Sequence, residues 1–120
     1  MTKKYKLTEK YITHYGVKLF QIQALISFGT VSSGCLGGYI EKEENLAQDG
    51  DAWVSDNAWV SDNALVCGNA MVHGNAIVSG NAWVCDNAIV TGNAMVHGNA
   101  MVCGDARVSG SDAIFWASRV

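Results

Sequence analysis
The feature that most constrains this chain is a six-residue repeat. Between residues 52 and 111 ten hexads follow one another without an insertion, starting at Ala52, Ala58, Ala64, Ala70, Ala76, Ala82, Ala88, Ala94, Ala100 and Ala106. Each reads Ala, variable, Val, small or polar, Gly or Asp, Asn. Valine fills the third slot all ten times, and asparagine fills the sixth eight times, with Asp105 and Ser111 in the last two. A period of six matches neither the 3.6 of a helix nor the 2 of an uninterrupted strand. It suits a short extended segment followed by a sharp corner. Ala and Val, two apart, point to one side of the strand and the residue between them to the other. Gly-Asn or Asp-Asn supplies backbone that tolerates left-handed dihedrals at the corner. Three strands and three corners then make a triangular coil of 18 residues, and coils stack at about 4.8 Å through parallel ladders. The expected interior is Val and Ala, with Asn side chains stacked along the corners.

Composition narrows the class. The chain has 120 residues, apolar content of 49% and no proline, which argues against disorder and against proline-rich linkers. The net charge of −3 is uneven: residues 1–40 hold five lysines against Glu9, whereas residues 41–120 hold three bases against ten acids. Excess acid on the larger part argues against a nucleic-acid partner. No run of 18 apolar residues occurs, so no membrane span is expected. The basic start lacks the apolar core of a signal peptide, and the expected location is cytoplasmic.

The hexads resemble the hexapeptide-repeat proteins. In that pattern an aliphatic residue recurs every sixth position, with a small residue two before the next one. Val54-Ser55-Asp56-Asn57-Ala58-Trp59, leading to Val60, fits it, as do its successors. The resemblance implies an all-β, left-handed parallel β-helix of about three coils of three hexads, behind an N-terminal β cap. The flank 28–46, FGTVSSGCLGGYIEKEENL, resembles the segment before the helix in small bacterial and phage-borne hexapeptide proteins loosely described as acyltransferase-like. Those relatives often continue into a further C-terminal domain.

The expected organisation is a hairpin-containing cap over 1–45, the repeat over 46–111, and 112–120 as a tail or the start of a further domain. Residues 4–28 read as β, because Phe20, Ile22, Ala24, Ile26 and Phe28 alternate with their neighbours. His14-Tyr15-Gly16 reads as the hairpin turn. A cap is expected because an uncovered coil exposes apolar core and unpaired edges.

The variable slot faces outward. One face carries Trp53, Met71, Ile89 and Arg107; the second Trp59, Ile77 and Met95; the third Leu65, Trp83 and Met101. Nine of these ten are large and apolar. Either they shield one another by stacking, or a face packs on another chain. These nine, with Phe115 and Trp116, form the candidate interaction surface. Side-by-side trimers are common among hexapeptide proteins, so the resemblance favours a homo-oligomer, trimer or dimer, or a protein partner.

Cys67, Cys85 and Cys103 share one slot at spacings of 18 and should form a vertical ladder. Their spacing matches no C-x-x-C pattern, and they read as small residues fitting a corner, so no metal or cofactor is expected. His73 and His97 occupy the same slot on different faces. The resemblance implies that an acyl-CoA-dependent transferase would use such a histidine, at a subunit interface, as general base. It also includes γ-class carbonic anhydrases, where three histidines bind zinc, whereas this solenoid carries two. With no loop excursion to hold a substrate, the leading expectation is a non-enzymatic solenoid that binds proteins or self-assembles. A phage-encoded protein that engages a host complex is its narrower form. The acyltransferase is the alternative.

Overall fold
A computed structural model describes residues 3–110 and the backbone of residues 113 and 114. Three N-terminal strands, β1 (Tyr5–His14), β2 (Val17–Ala24) and β3 (Leu36–Ile40), precede a short 3-10 helix, Glu43–Asn45. Two-residue strands then recur every six residues: β4 (Trp53–Val54), β5 (Trp59–Val60), β6 (Leu65–Val66), β7 (Met71–Val72), β8 (Ile77–Val78), β9 (Trp83–Val84), β10 (Ile89–Val90), β11 (Met95–Val96), β12 (Met101–Val102), β13 (Arg107–Val108) and β14 (Ala113–Ile114).

They form a parallel β-solenoid of about four turns. Each strand from β4 to β11 pairs with the one 18 residues on, as Trp53 with Met71 and Leu65 with Trp83. The faces are the sheets β4-β7-β10-β13, β6-β9-β12, and β5-β8-β11-β14 extended by β3, β2 and β1. All ten repeat valines are buried, as are the alanines from Ala52 to Ala100, with Ala106 partly buried. The expected register is therefore the observed one.

Each corner is a four-residue turn. In the first, Ala58 N donates to Ser55 O at 3.2 Å, and Asp56 holds φ +59°. The fifth slot has positive φ throughout the repeat, as Gly in seven hexads and as Asp56, Asp62 and Asp86 in three. The asparagines stack as expected. Asn57 Nδ2 donates to Asn75 Oδ1 at 3.3 Å, and Asn75 Nδ2 to Asn93 Oδ1 at 3.2 Å.

Parallel pairing begins before the hexads. Tyr39 pairs with Trp59, Ile40 with Val60, and Leu46 bridges Val66, each 20 residues apart rather than 18. By Gly50, which lies against Gly68, the offset is back to 18. Gln48 and Asp49 are the two extra residues, and the N-terminus docks around them. Gln48 Oε1 accepts from Lys4 N at 2.7 Å, and buried Lys4 Nζ donates to Ala52 O at 2.8 Å. The single Tyr5 hydroxyl proton is shared between Glu43 O and Leu46 O, 2.8 and 2.6 Å from Oη. Asn45, also buried, donates to Asp62 O and Ala64 O and accepts from Glu41 N and Lys42 N.

The hairpin is present, with Tyr15 at φ +50° and Gly16 at +79°. Positive φ at both turn residues is the arrangement whose twist suits a two-residue hairpin loop. Strand β2 ends at Ala24, short of the alternation read to Phe28. Beyond it the chain turns back through a loop pinched by a Phe28–Val31 bridge, with Phe28 against Trp53, and rejoins Ala24 through Gly34 and Cys35. Gly37 and Gly38 let β3 cross the first coil closely. A Cβ on Gly38 would lie 2.5 Å from Ala58 O, and one on Gly37 2.6 Å from Val54 O.

Candidate functional site
The outward slots fare differently on the three faces. On the first, Trp53 is 3% exposed, because the cap lies over it. Its ring meets Tyr5 and Phe28 edge-on, at centroid distances of 6.3 and 5.3 Å. Trp53 therefore faces outward from the coil yet lies in the core, out of reach of a partner. Met71 and Ile89 are half-buried and Arg107 is exposed.

On the second face Trp59 stacks on Ile77, and Ile77 on Met95. The hairpin tip folds against this row, with the His14 ring 4.1 Å from that of Trp59. A cleft of about 280 Å³ lies between the tip and the row, with Ser61 and Asp62 along it. On the third face Leu65, Trp83 and Met101 are in register. Trp83 is 47% exposed, more than any other outward apolar residue of the repeat; Met95 follows at 41%. Trp83 and Met101, with Asn81 and Asn99, line a shallow groove. Stacking thus half-shields most of the candidate surface and leaves Trp83 and Met95 most open. Phe115 and Trp116 lie outside the described residues.

The fourth hexad slot lines the three corner edges. After the first face it reads Ser55, His73, Thr91, Ser109, and after the second Ser61, Ser79, His97. His73 Nδ1 lies 3.1 Å from Thr91 Oγ1. His97 is also engaged in contacts. The two histidines occupy different edges, so one chain does not join them in a single site.

The third edge reads Cys67, Cys85, Cys103. All three are free thiols, and the expected ladder is present. Burial pushes the Cys67 thiol up, and burial followed by the Cys103 neighbour pushes Cys85 to about 12. The ligating atoms of Cys85, Cys103 and Asp86 all lie within 4.8 Å of one another. The spacing of 18 already set Cys85 beside Cys103; what it missed is that Asp86 joins them. One signal was available: Asp86 stands in a slot that is glycine at Gly68 and Gly104 on the same edge. The buried Lys4 and Asn45 had no such signal, because their partners are backbone carbonyls and amides.

Residues 64–80 and residues 82–98 are each similar to the family described as YdcK beta solenoid repeat. The two stretches begin 18 residues apart, so each corresponds to one coil. The likeness is to a β-solenoid repeat and not specifically to hexapeptide acyltransferases; it carries the fold and no reaction. No curated protein matches the chain. Among the described residues no helix is long and apolar enough to cross a membrane.

Proposed function
We propose that this β-solenoid is a non-catalytic structural module that binds protein, a second copy of itself first of all, through its third face. The observation that carries this reading is the exposure of Trp83, 47%, in the middle of an apolar row that the cap leaves open. The first face loses Trp53 to the cap, and the second is partly occupied by His14. An exposed tryptophan between Leu65 and Met101 suits the centre of an interface, where tryptophan is enriched among residues that dominate binding. The uninterrupted hexads also support a scaffold. They carry no long loop of the kind that usually brings binding or catalytic groups onto a rigid frame.

Light scattering across a concentration range tests the reading. We expect a homo-oligomer whose dissociation constant rises at least tenfold in Trp83→Arg. If the wild type stays monomeric, immobilised protein is offered host lysate. A partner retained by wild type and lost by Trp83→Arg would keep the third face and replace the second copy. The narrower version, in which a phage- or prophage-encoded chain engages a host complex, rests on the resemblance of residues 28–46 and meets the same pull-down. Calorimetry with acetyl-CoA covers the alternative. Tight binding abolished by His73→Ala or His97→Ala would replace the scaffold with an acyltransferase.

A further inference from the structure
We propose that Cys85, Cys103 and Asp86 form a binding site for a thiophilic divalent cation of the zinc type on the third corner edge. Two sulfurs and a carboxylate oxygen within 4.8 Å are a donor set that zinc accepts. With ordinary zinc bond lengths, tetrahedral ligand atoms stand about 3.5–3.8 Å apart, so a side-chain movement of about 1 Å closes the set. Both cysteines are half-buried and Asp86 is exposed, so the ion enters from solvent and water completes the coordination.

Two further observations point the same way. The corner does not need sulfur, because serine fills this slot at Ser55, Ser61, Ser79 and Ser109. Yet cysteine fills it in each of three successive coils on one edge and nowhere else in the repeat. Asp86 is also directed. It adopts φ +57° where glycine sits in the coils on either side, and its Oδ2 accepts from Gly104 N at 2.9 Å. That bond orients the carboxylate, as outer hydrogen bonds do for metal ligands generally. Asp56 and Asp62 make the same bond to Gly74 and Gly80, but their fourth-slot neighbours are Ser55 and His73 for the first and Ser61 and Ser79 for the second. Only Asp86 combines it with thiols. Binding would release the two thiol protons to solvent.

The test uses the reduced, tag-free full chain titrated with cobalt(II) under anaerobic conditions. We expect one equivalent to give thiolate-to-cobalt charge-transfer absorption and the visible bands of a tetrahedral ion, and zinc to displace it. Cys85→Ser and Cys103→Ser should remove the charge-transfer band, and Asp86→Gly should weaken binding at least tenfold. Each substitution installs a residue that the same slot already holds elsewhere, and circular dichroism checks that the coil survives. Cys35→Ser, at an exposed cysteine outside the ladder, should change nothing. As a second readout, zinc should raise the melting temperature of wild type and not of Cys85→Ser. Absence of cobalt absorption in wild type overturns the site, as does a first equivalent that persists in Cys103→Ser or disappears in Cys35→Ser.

Discussion

At the scale of single residues, the repeat is a compromise at one dihedral. The fifth slot requires positive φ, which costs a non-glycine residue roughly 1–2 kcal/mol. A Cβ there also meets the next coil; on Gly92 it would lie 2.8 Å from Gly110 N. Aspartate is tolerated because its carboxylate accepts an N–H from that same coil, as Asp56 does from Gly74 at 3.1 Å. Gly92→Ala should therefore lower stability by about 1–2 kcal/mol, and Gly92→Asp by clearly less. Urea midpoints of the two variants decide this; equal losses would remove the compensation. The valine slot is less forgiving. Val84 is fully buried, so Val84→Thr keeps the shape but buries a hydroxyl, at about 1–3 kcal/mol unless a carbonyl accepts from it.

At the scale of elements, the cap is held to the solenoid by apolar packing with a small polar clamp at its start. Trp53 sits between Tyr5 and Phe28, while Lys4 and Tyr5 tie the chain to Gln48, Ala52 and Leu46. Trp53→Ala should cost about 3–5 kcal/mol, in the range for a buried aromatic truncated to alanine. Because the loss falls at the cap, amide exchange should accelerate first in β1 and β2 and only later in β9 to β12. Uniform acceleration would mean that cap and coils open as one unit. Gly38→Ala attacks the same junction from inside, since its Cβ would be wedged against Ala58 O at 2.5 Å, Val54 Cγ1 at 2.8 Å and Ser55 O at 3.2 Å.

At the scale of the whole molecule, buried ionisable groups make stability depend on pH in opposing directions. Burial lowers Lys4 from its ordinary 10.5 to about 8, despite pull in the other direction from Asp51 and Asp49. Between those values the unfolded chain binds a proton that the fold does not, so this group makes stability rise with pH. Tyr5 is held above its ordinary 10.0 by burial and by Glu43 and Glu44, and the Cys85 thiol is pushed from 9.0 to about 12. The unfolded chain gives up those protons first, so these groups make stability fall as pH rises past roughly 9–10. Urea midpoints should climb from pH 8 to about 9 and then decline. Lys4→Met should lose the climb and keep the decline; the same climb in both proteins would show that another group supplies it.

Much of this molecule is legible along the chain because its repeat is local. The Ala-x-Val spacing decides which side chains enter the coil, and the Gly/Asp-Asn pair decides where the backbone turns. A constant period of six makes every coil satisfy the one before it. Strand positions, the buried valines, the asparagine stacks and the cysteine ladder all follow from that periodicity. What the repeat does not encode is where its register is broken and what lies across it. The two-residue excursion at Gln48 and Asp49, the burial of Lys4 and Asn45, and the withdrawal of Trp53 under Phe28 depend on contacts between segments some 20 to 50 residues apart. Trp53 and Trp83 occupy the same slot of the same motif, yet one is core and the other surface, because the cap reaches only the first. Asp86 joins Cys85 and Cys103 for a related reason: coil stacking turns a sequence separation of 18 into one inter-strand step.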